Sequence, residues 1–140
     1  MNVYYSNTTG PLDRATFDKA VAKAISLAAD GGKGAAALAT PGLSNLDHTQ
    51  NFEESFGKQF VADLKTKKIA VHAGTRWHLM TGKIDAPAFA GGPILAPYVS
   101  FKQLSDLATA PGVTAIVYVP WTEDDLSALL AAKGLTATPL

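Results

Sequence analysis

Apolar residues along this chain follow two patterns: a helical spacing in four segments, and short apolar runs between them. The helical spacing predicts helices between Asp13 and Gly31, over residues 51–66, after Ser100 and after Thr122. In the second segment the apolar side chains step by four along the sequence. They are Phe52, Phe56, Phe60 and Leu64. This stripe predicts an amphipathic helix with its polar face toward water.

The short apolar runs predict the strands. They cover residues 3–5, 35–40, 69–73, 93–98, 114–119 and 135–138. The run TAIVYV at 114–119 is apolar on both faces, which indicates a central strand. Residues 76–81 fit either a continuation of the third strand or its hairpin partner. Pro139 would stop further pairing at the last strand, so we expect that strand at an edge.

Polar and glycine residues at the segment ends support these boundaries. Asp13 and Ser100 each precede a helical segment and suit the N-cap position. Thr122 followed by Asp125 resembles a capping box in which Asp replaces the usual Glu. Gly31 and Gly32 are typical of a helix C-terminus. Three of the four predicted helices therefore carry a start or stop signal.

Strands that alternate with helices through short loops predict βαβ units with right-handed crossovers. We therefore expect one α/β domain over residues 1–140. The predicted architecture is a Rossmann-like, three-layer α/β/α fold with a mostly parallel or mixed sheet of about five or six strands. A chain of this length buries roughly 68% of its unfolded surface, so it needs no covalent crosslinks.

Charge and composition exclude several functional classes. Twelve basic and twelve acidic residues give a formal net charge of zero, so we expect no nucleic-acid partner. The densest basic group, Lys65, Lys67 and Lys68, ends a predicted helix, where cations favour the helix dipole. The absence of cysteine removes disulfides, thiolate metal sites and cysteine nucleophiles.

The hydropathy pattern also argues against a membrane protein. No apolar run approaches the roughly 20 residues that span a bilayer. The first ten residues, MNVYYSNTTG, lack a basic region and a long apolar region, so we expect no signal peptide. The sequence favours a cytoplasmic protein.

Known catalytic and nucleotide-binding motifs are absent from the sequence. Residues 31–34, GGKG, lack the spacing of a phosphate-binding loop and follow a helix instead of preceding one. Neither GxGxxG nor GxSxG occurs, which removes the simple dinucleotide and serine-hydrolase interpretations. Acidic residues concentrate at predicted helix starts, where the dipole explains them.

A candidate ligand site follows from the predicted fold. Open α/β sheets bind ligands beyond the carboxyl ends of their strands, where helix N-termini attract anions. Each predicted strand end carries hydroxyl, glycine or charged side chains. The candidate ligand-binding residues are Ser6, Asn7, Thr40, His72, Thr75, Arg76, His78 and Thr122. The competing explanation is that Ser and Thr at these positions simply cap helices.

The three histidines do not form a recognisable metal motif. On one uninterrupted strand His72 and His78 would lie about 20 Å apart, too far to share an ion. His48, beside Asp47, would have to join them from a separate loop. We expect no metal site.

Two hypotheses about function remain open at this stage. The first is a binding or interaction domain without catalytic activity, either a homo-oligomer or the partner of another protein. It is based on the missing motifs and on aromatic residues that cannot all fit a small core. These are Tyr4, Tyr5, Trp77, Tyr98, Tyr118 and Trp121. Aromatic side chains left at a surface favour protein interfaces.

The second hypothesis is a small enzyme, or a binder of a nucleotide or another phosphorylated metabolite. Arg76 would hold the anion with its planar guanidinium group. His72 or His78 would transfer a proton near neutral pH. Neither hypothesis specifies a cofactor.

Overall fold

A computed structural model of the chain describes residues 1–42, 46, 50–81, 86 and 88–140. These residues form seven strands and five helices. The strands are β1 (Asn2–Tyr5), β2 (Ala35–Ala39), β3 (Ile69–His72), β4 (Thr75–Met80), β5 (Gly92–Pro97), β6 (Val113–Val119) and β7 (Thr136–Pro139). The helices are α1 (Arg14–Asp30), α2 (Gln50–Phe56), α3 (Lys58–Lys67), α4 (Phe101–Ala108) and α5 (Glu123–Ala131).

All seven strands belong to one sheet, in the order β3-β4-β2-β5-β6-β1-β7. Every neighbouring pair is parallel except β3 and β4, which are antiparallel. The prediction of a mostly parallel α/β sheet is therefore confirmed, and the architecture is consistent with a Rossmann-like fold. The sheet has seven strands, more than the expected five or six, because residues 75–80 form a separate strand.

Helices cover both faces of the sheet, which gives the expected three layers. On one face, here called face A, α1, α2 and α3 pack against Leu38, Trp77 and Leu95. On the opposite face, face B, Leu104 of α4 and Leu126 and Leu129 of α5 complete a second core. Successive strand residues contribute to opposite faces because side chains alternate along a strand. The small side chains of β2, AAALA, are all buried at the centre.

The predicted helix over residues 51–66 is wrong as a single element. Gly57 adopts a φ of 91°, outside the helical region, and separates α2 from α3. The apolar stripe nevertheless continues across this break, because Phe52, Phe56, Phe60 and Leu64 are all buried. Side-chain spacing therefore indicated which residues pack inward, although it concealed the change in backbone direction.

The predicted caps are confirmed in three helices. The side chain of Asp13 accepts a hydrogen bond from the backbone N–H of Thr16 at 2.8 Å. Ser100 accepts one from Gln103 N–H at 3.2 Å, and Thr122 accepts one from Asp125 N–H at 3.1 Å. These bonds satisfy amides that would otherwise have no partner in the first turn of each helix.

Candidate functional site

The parallel strands end along one edge of the sheet, here called the carboxyl rim, where α1, α4 and α5 begin. Ser6 and Thr40 directly follow β1 and β2, and Thr122 lies just beyond β6. The structure therefore places these three predicted site residues, together with Asn7, at the edge where this architecture usually binds ligands. Residues 43–45 and 47–49, which include His48, lie outside the described residues.

The hydroxyl groups of Ser6 and Thr40 at the carboxyl rim form hydrogen bonds within the chain. Ser6 Oγ donates to the carbonyl oxygen of Thr8 at 3.1 Å and accepts from Thr8 N–H at 3.3 Å. Thr40 Oγ1 donates to the carbonyl oxygen of Gly42 at 2.9 Å. Both residues are buried, whereas Asn7 is exposed. These bonds match the local turns that Ser and Thr make without any ligand.

The N-terminus of α4 already holds a carboxylate. Asp125 Oδ1, from α5, accepts a hydrogen bond from the backbone N–H of Phe101 at 3.0 Å. Asp125 Oδ2 accepts a bond from the hydroxyl of Thr122 at 3.0 Å, as that residue also caps α5. A helix N-terminus attracts anions through its free amides and its dipole. Here an internal side chain supplies that anion and ties α4 to α5.

Replacing Asp125 with alanine is expected to lower the free energy of unfolding by about 1–2 kcal/mol, because the amide of Phe101 loses its acceptor and two helix starts lose their link. Denaturant unfolding followed by circular dichroism measures the change. Asp124 is the matched control, since it is an exposed carboxylate in the same helical turn. Equal costs for Asp125→Ala and Asp124→Ala would show that the bridge contributes nothing.

The structure separates His72, Thr75 and Arg76 from the residues of the carboxyl rim. Because β3 runs antiparallel to β4, the turn between them lies at the opposite edge, here called the amino rim. Arg76 N–H donates to the carbonyl oxygen of Gly34, just before β2 begins, at 2.8 Å. The expectation that all strand-end loops share one rim is therefore wrong for the third strand.

A tight turn between β3 and β4 reverses the direction of the chain, so β4 is the hairpin partner of the third strand. His72 and Thr75 face each other across a two-residue turn. Ala73 has φ 51° and Gly74 has φ 75°, as a tight turn with positive φ at both central residues requires. The residue pair Ala-Gly at the turn centre is a weaker hairpin signal than Asn-Gly or Asp-Gly.

His72 and His78 lie on opposite faces of the sheet. The ring of His72 packs edge-on against Phe56 and Phe60 on face A, with centroid distances of 5.0 and 5.9 Å. His78, in β4, is buried on face B against Phe89, 5.4 Å between ring centroids. Within the described residues, no three His, Asp or Glu side chains are close enough to hold a metal ion.

Burial disfavours the charged form of the His78 imidazole. Desolvation lowers the pKa of its imidazole below the ordinary value of 6.5, and the positive charge of nearby Arg76 lowers it further. The folded protein therefore favours the neutral ring. As the pH falls below about 6.5, the unfolded chain takes up this proton before the folded chain does.

We expect the free energy of unfolding to decrease as the pH is lowered from about 6.5 toward the reduced pKa of His78. Replacing His78 with leucine should flatten the stability profile in this window, because the proton-binding group is gone. Urea titrations at half-unit pH steps measure the slope, and data above pH 7 provide the baseline for each variant. An unchanged slope in His78→Leu would assign the pH dependence to other groups.

Two of the aromatic residues named in the sequence, Tyr98 and Trp121, pack together at the carboxyl rim beside β5. Tyr98 is buried with φ 69°, a conformation that bulky residues rarely adopt. Its hydroxyl accepts a hydrogen bond from Leu12 N–H at 3.3 Å, and its ring stacks on Phe17. Trp121 packs edge-on against the same ring at a centroid distance of 5.5 Å. Local sequence carries no signal for this left-handed tyrosine.

The core accommodates most of the aromatic residues. Tyr5, Trp77, Tyr98 and Tyr118 are buried, and Tyr4 is partly buried, whereas Trp121 is 49% exposed. Of these six aromatic residues, Trp121 alone is largely exposed, so fewer aromatic side chains are left for an interface than expected. Trp77 lies in the core.

The fold and the rim together define a class of protein. It is a mostly parallel, three-layer α/β protein in which side chains of the carboxyl rim hydrogen-bond to one another and to the start of α4. Within the described residues, no helix has both the length and the apolar character needed to cross a membrane. No protein-family model matches the chain, and comparisons with curated proteins and with solved structures find no significant similarity.

Proposed function

We propose that this chain is a non-catalytic binding domain whose partner is another polypeptide. The observation that carries the proposal is the Asp125 carboxylate seated on the N-terminus of α4. In a metabolite-binding α/β domain that position would be available to a phosphate or carboxylate of the ligand. Here the Asp125 carboxylate occupies that position, so this part of the rim connects α5 to α4 and leaves no room for a ligand anion.

The charges around the rim support the same proposal. Helix α5 begins with Glu123, Asp124 and Asp125, whose negative charges oppose the approach of an anionic ligand. Arg76, the residue expected to hold such an anion, lies near the amino rim. The arrangement therefore favours the binding-domain hypothesis over a nucleotide or phosphorylated-metabolite site. A homo-oligomer stays a prediction within this proposal.

A thermal-shift screen against nucleotides, phosphorylated metabolites and divalent metals tests the proposal. We expect no saturable rise in melting temperature, because a ligand that binds the folded state must stabilise it by mass action. A concentration-dependent rise with any nucleotide or phosphorylated compound would contradict the proposal and restore the enzyme or metabolite-binding hypothesis. Sedimentation velocity on the same sample measures whether the chain associates with itself.

A further inference from the structure

The two edges of the sheet differ in their capacity to accept another strand. At the β7 edge, the N–H groups of Thr136 and Leu140 donate inward to Met1 and Tyr5 of the β1 segment. Because hydrogen-bonding direction alternates along a strand, the backbone N–H and C=O positions of Ala137 and Pro139 face away from β1. Proline has no N–H group, so this edge has lost one of its two outward donors.

The β3 edge keeps its outward groups. Leu79 N–H donates to the carbonyl oxygen of Lys68 at 3.0 Å, and Arg76 N–H points the other way, to Gly34. In the antiparallel β3–β4 ladder, bonded pairs alternate with non-bonded pairs. Ile69 and Val71 therefore direct both N–H and C=O away from β4. Among the described residues, no strand lies beyond β3.

Side chains beside this edge provide an apolar contact. Val71 is 69% exposed, more than any other large apolar residue in the described part of the chain. Ile69 is partly exposed and lies two residues away on the same face of the strand. An added strand would place its own alternate side chains against these two.

The side chains near the β3 edge are positively charged, which favours an acidic partner. Lys67 is the last residue of α3 and Lys68 is its C-cap, immediately before β3. The ammonium group of Lys68 donates a hydrogen bond to the carbonyl oxygen of Lys65 and keeps its positive charge beside the edge. Exposed Arg76 lies opposite Val71 in the ladder. Lys67 approaches Asp63 at 3.6 Å, but its side chain is 72% exposed, so the pair is weak. Lysines beside an edge oppose pairing with a second identical edge and attract an acidic strand.

We propose that the β3 edge binds an extended acidic segment of a partner protein as an eighth strand. Apolar side chains of that segment pack on Ile69 and Val71, and acidic side chains at alternate positions face Lys67 and Lys68. Backbone hydrogen bonds to Ile69 and Val71 hold the segment, as in other cases of strand addition. This inference rests on the proposed function and names its surface and partner class.

The test uses a fluorescein-labelled peptide of alternating valine and glutamate, with a valine–lysine peptide as the charge control. Fluorescence anisotropy with the full chain should show salt-sensitive binding of the acidic peptide, and binding of the basic peptide weaker by about tenfold or more. Val71→Pro removes an outward N–H without breaking the β3–β4 ladder. It should weaken binding of the acidic peptide about fivefold to tenfold.

Ala137→Pro is the matched control, because it removes an outward N–H at the opposite edge and should leave binding unchanged. Lys67→Glu, at an exposed position, should also weaken binding and keeps the test valid if Val71→Pro fails to fold. Equal binding of both peptides, or equal losses in the two proline variants, would overturn the proposal. A wild-type dimer that Val71→Pro converts to monomer would overturn it in favour of a second copy.

The peptide experiment and the small-molecule screen can refute the two proposals separately. A silent thermal-shift screen combined with no peptide binding removes the β3 edge as the docking surface and leaves the binding-domain proposal standing. A saturable thermal shift with a phosphorylated compound removes that proposal itself.

Discussion

Replacing Gly92 with alanine is expected to lower the free energy of unfolding by about 3–5 kcal/mol, the largest effect of a single methyl group that we predict. Gly92 begins β5 with φ 140°, a region open essentially to glycine alone. A Cβ atom at this position would lie 2.6 Å from the backbone carbonyl oxygen of Ala35. The added methyl group therefore meets backbone strain and a steric clash together.

The clash cannot be relieved locally, because Gly92 lies where three strands begin. Its N–H donates to the carbonyl oxygen of Gly112 at 3.0 Å, next to the first residue of β6. Ala35, on the other side, begins β2. Moving the backbone away from either neighbour would disturb the ladders on both sides of β5, at the centre of the sheet.

Gly32→Ala separates the two contributions. Gly32 also has a positive φ, 76°, but a Cβ atom there would have no neighbour within 4 Å. We expect a cost of about 1–2 kcal/mol, which is the conformational penalty alone. Denaturant unfolding of both variants measures the difference. Similar costs would show that the sheet accommodates the extra methyl group at Gly92.

Truncating Trp77 to alanine is expected to cost about 3–5 kcal/mol, because removal of a large buried side chain leaves a cavity that the core fills incompletely. Trp77 is fully buried on face A, with its ring 5.3 Å from that of Phe56. The other tryptophan provides the comparison. Trp121 is about half exposed and contacts Tyr98 at its edge, so Trp121→Ala should cost about 1 kcal/mol.

A phenylalanine at position 77 refines this prediction. The indole N–H of Trp77 is buried and has no hydrogen-bond partner among the described residues. Trp77→Phe removes this unsatisfied donor while it keeps most of the ring volume, so we expect a loss of only about 1–2 kcal/mol. A ranking in which Trp121→Ala destabilises more than Trp77→Ala would contradict the packing described here.

The helix caps were predicted well, because local chemistry decides them. Asp13, Ser100 and Thr122 cap helices as their positions in the sequence indicated. A cap needs only a short polar side chain within three residues of a free amide, so it can be identified without knowledge of the fold. The hydroxyl groups of Ser6 and Thr40 are likewise satisfied locally, each by a carbonyl oxygen two residues further along the chain.

Predictions that depended on strand direction were less successful. His72 and Arg76 were assigned to the carboxyl rim on the assumption that the third strand ran parallel to its neighbours. A short apolar strand has the same composition in either direction. The two-residue turn at Ala73 and Gly74 reversed the chain, and the candidate site divided between two edges of the sheet.

The sequence by itself determined the alternation of helices and strands, the buried stripes of the predicted helices and the residues that cap three of them, because these depend on side chains a few positions apart. Only the tertiary structure decided that β3 is antiparallel and lies at an edge, that Asp125 reaches Phe101 on another helix, and that Tyr98 accepts a left-handed conformation. Each of these depends on contacts between residues distant in the chain. Such contacts are set by the packing of the whole sheet, and no local pattern records them.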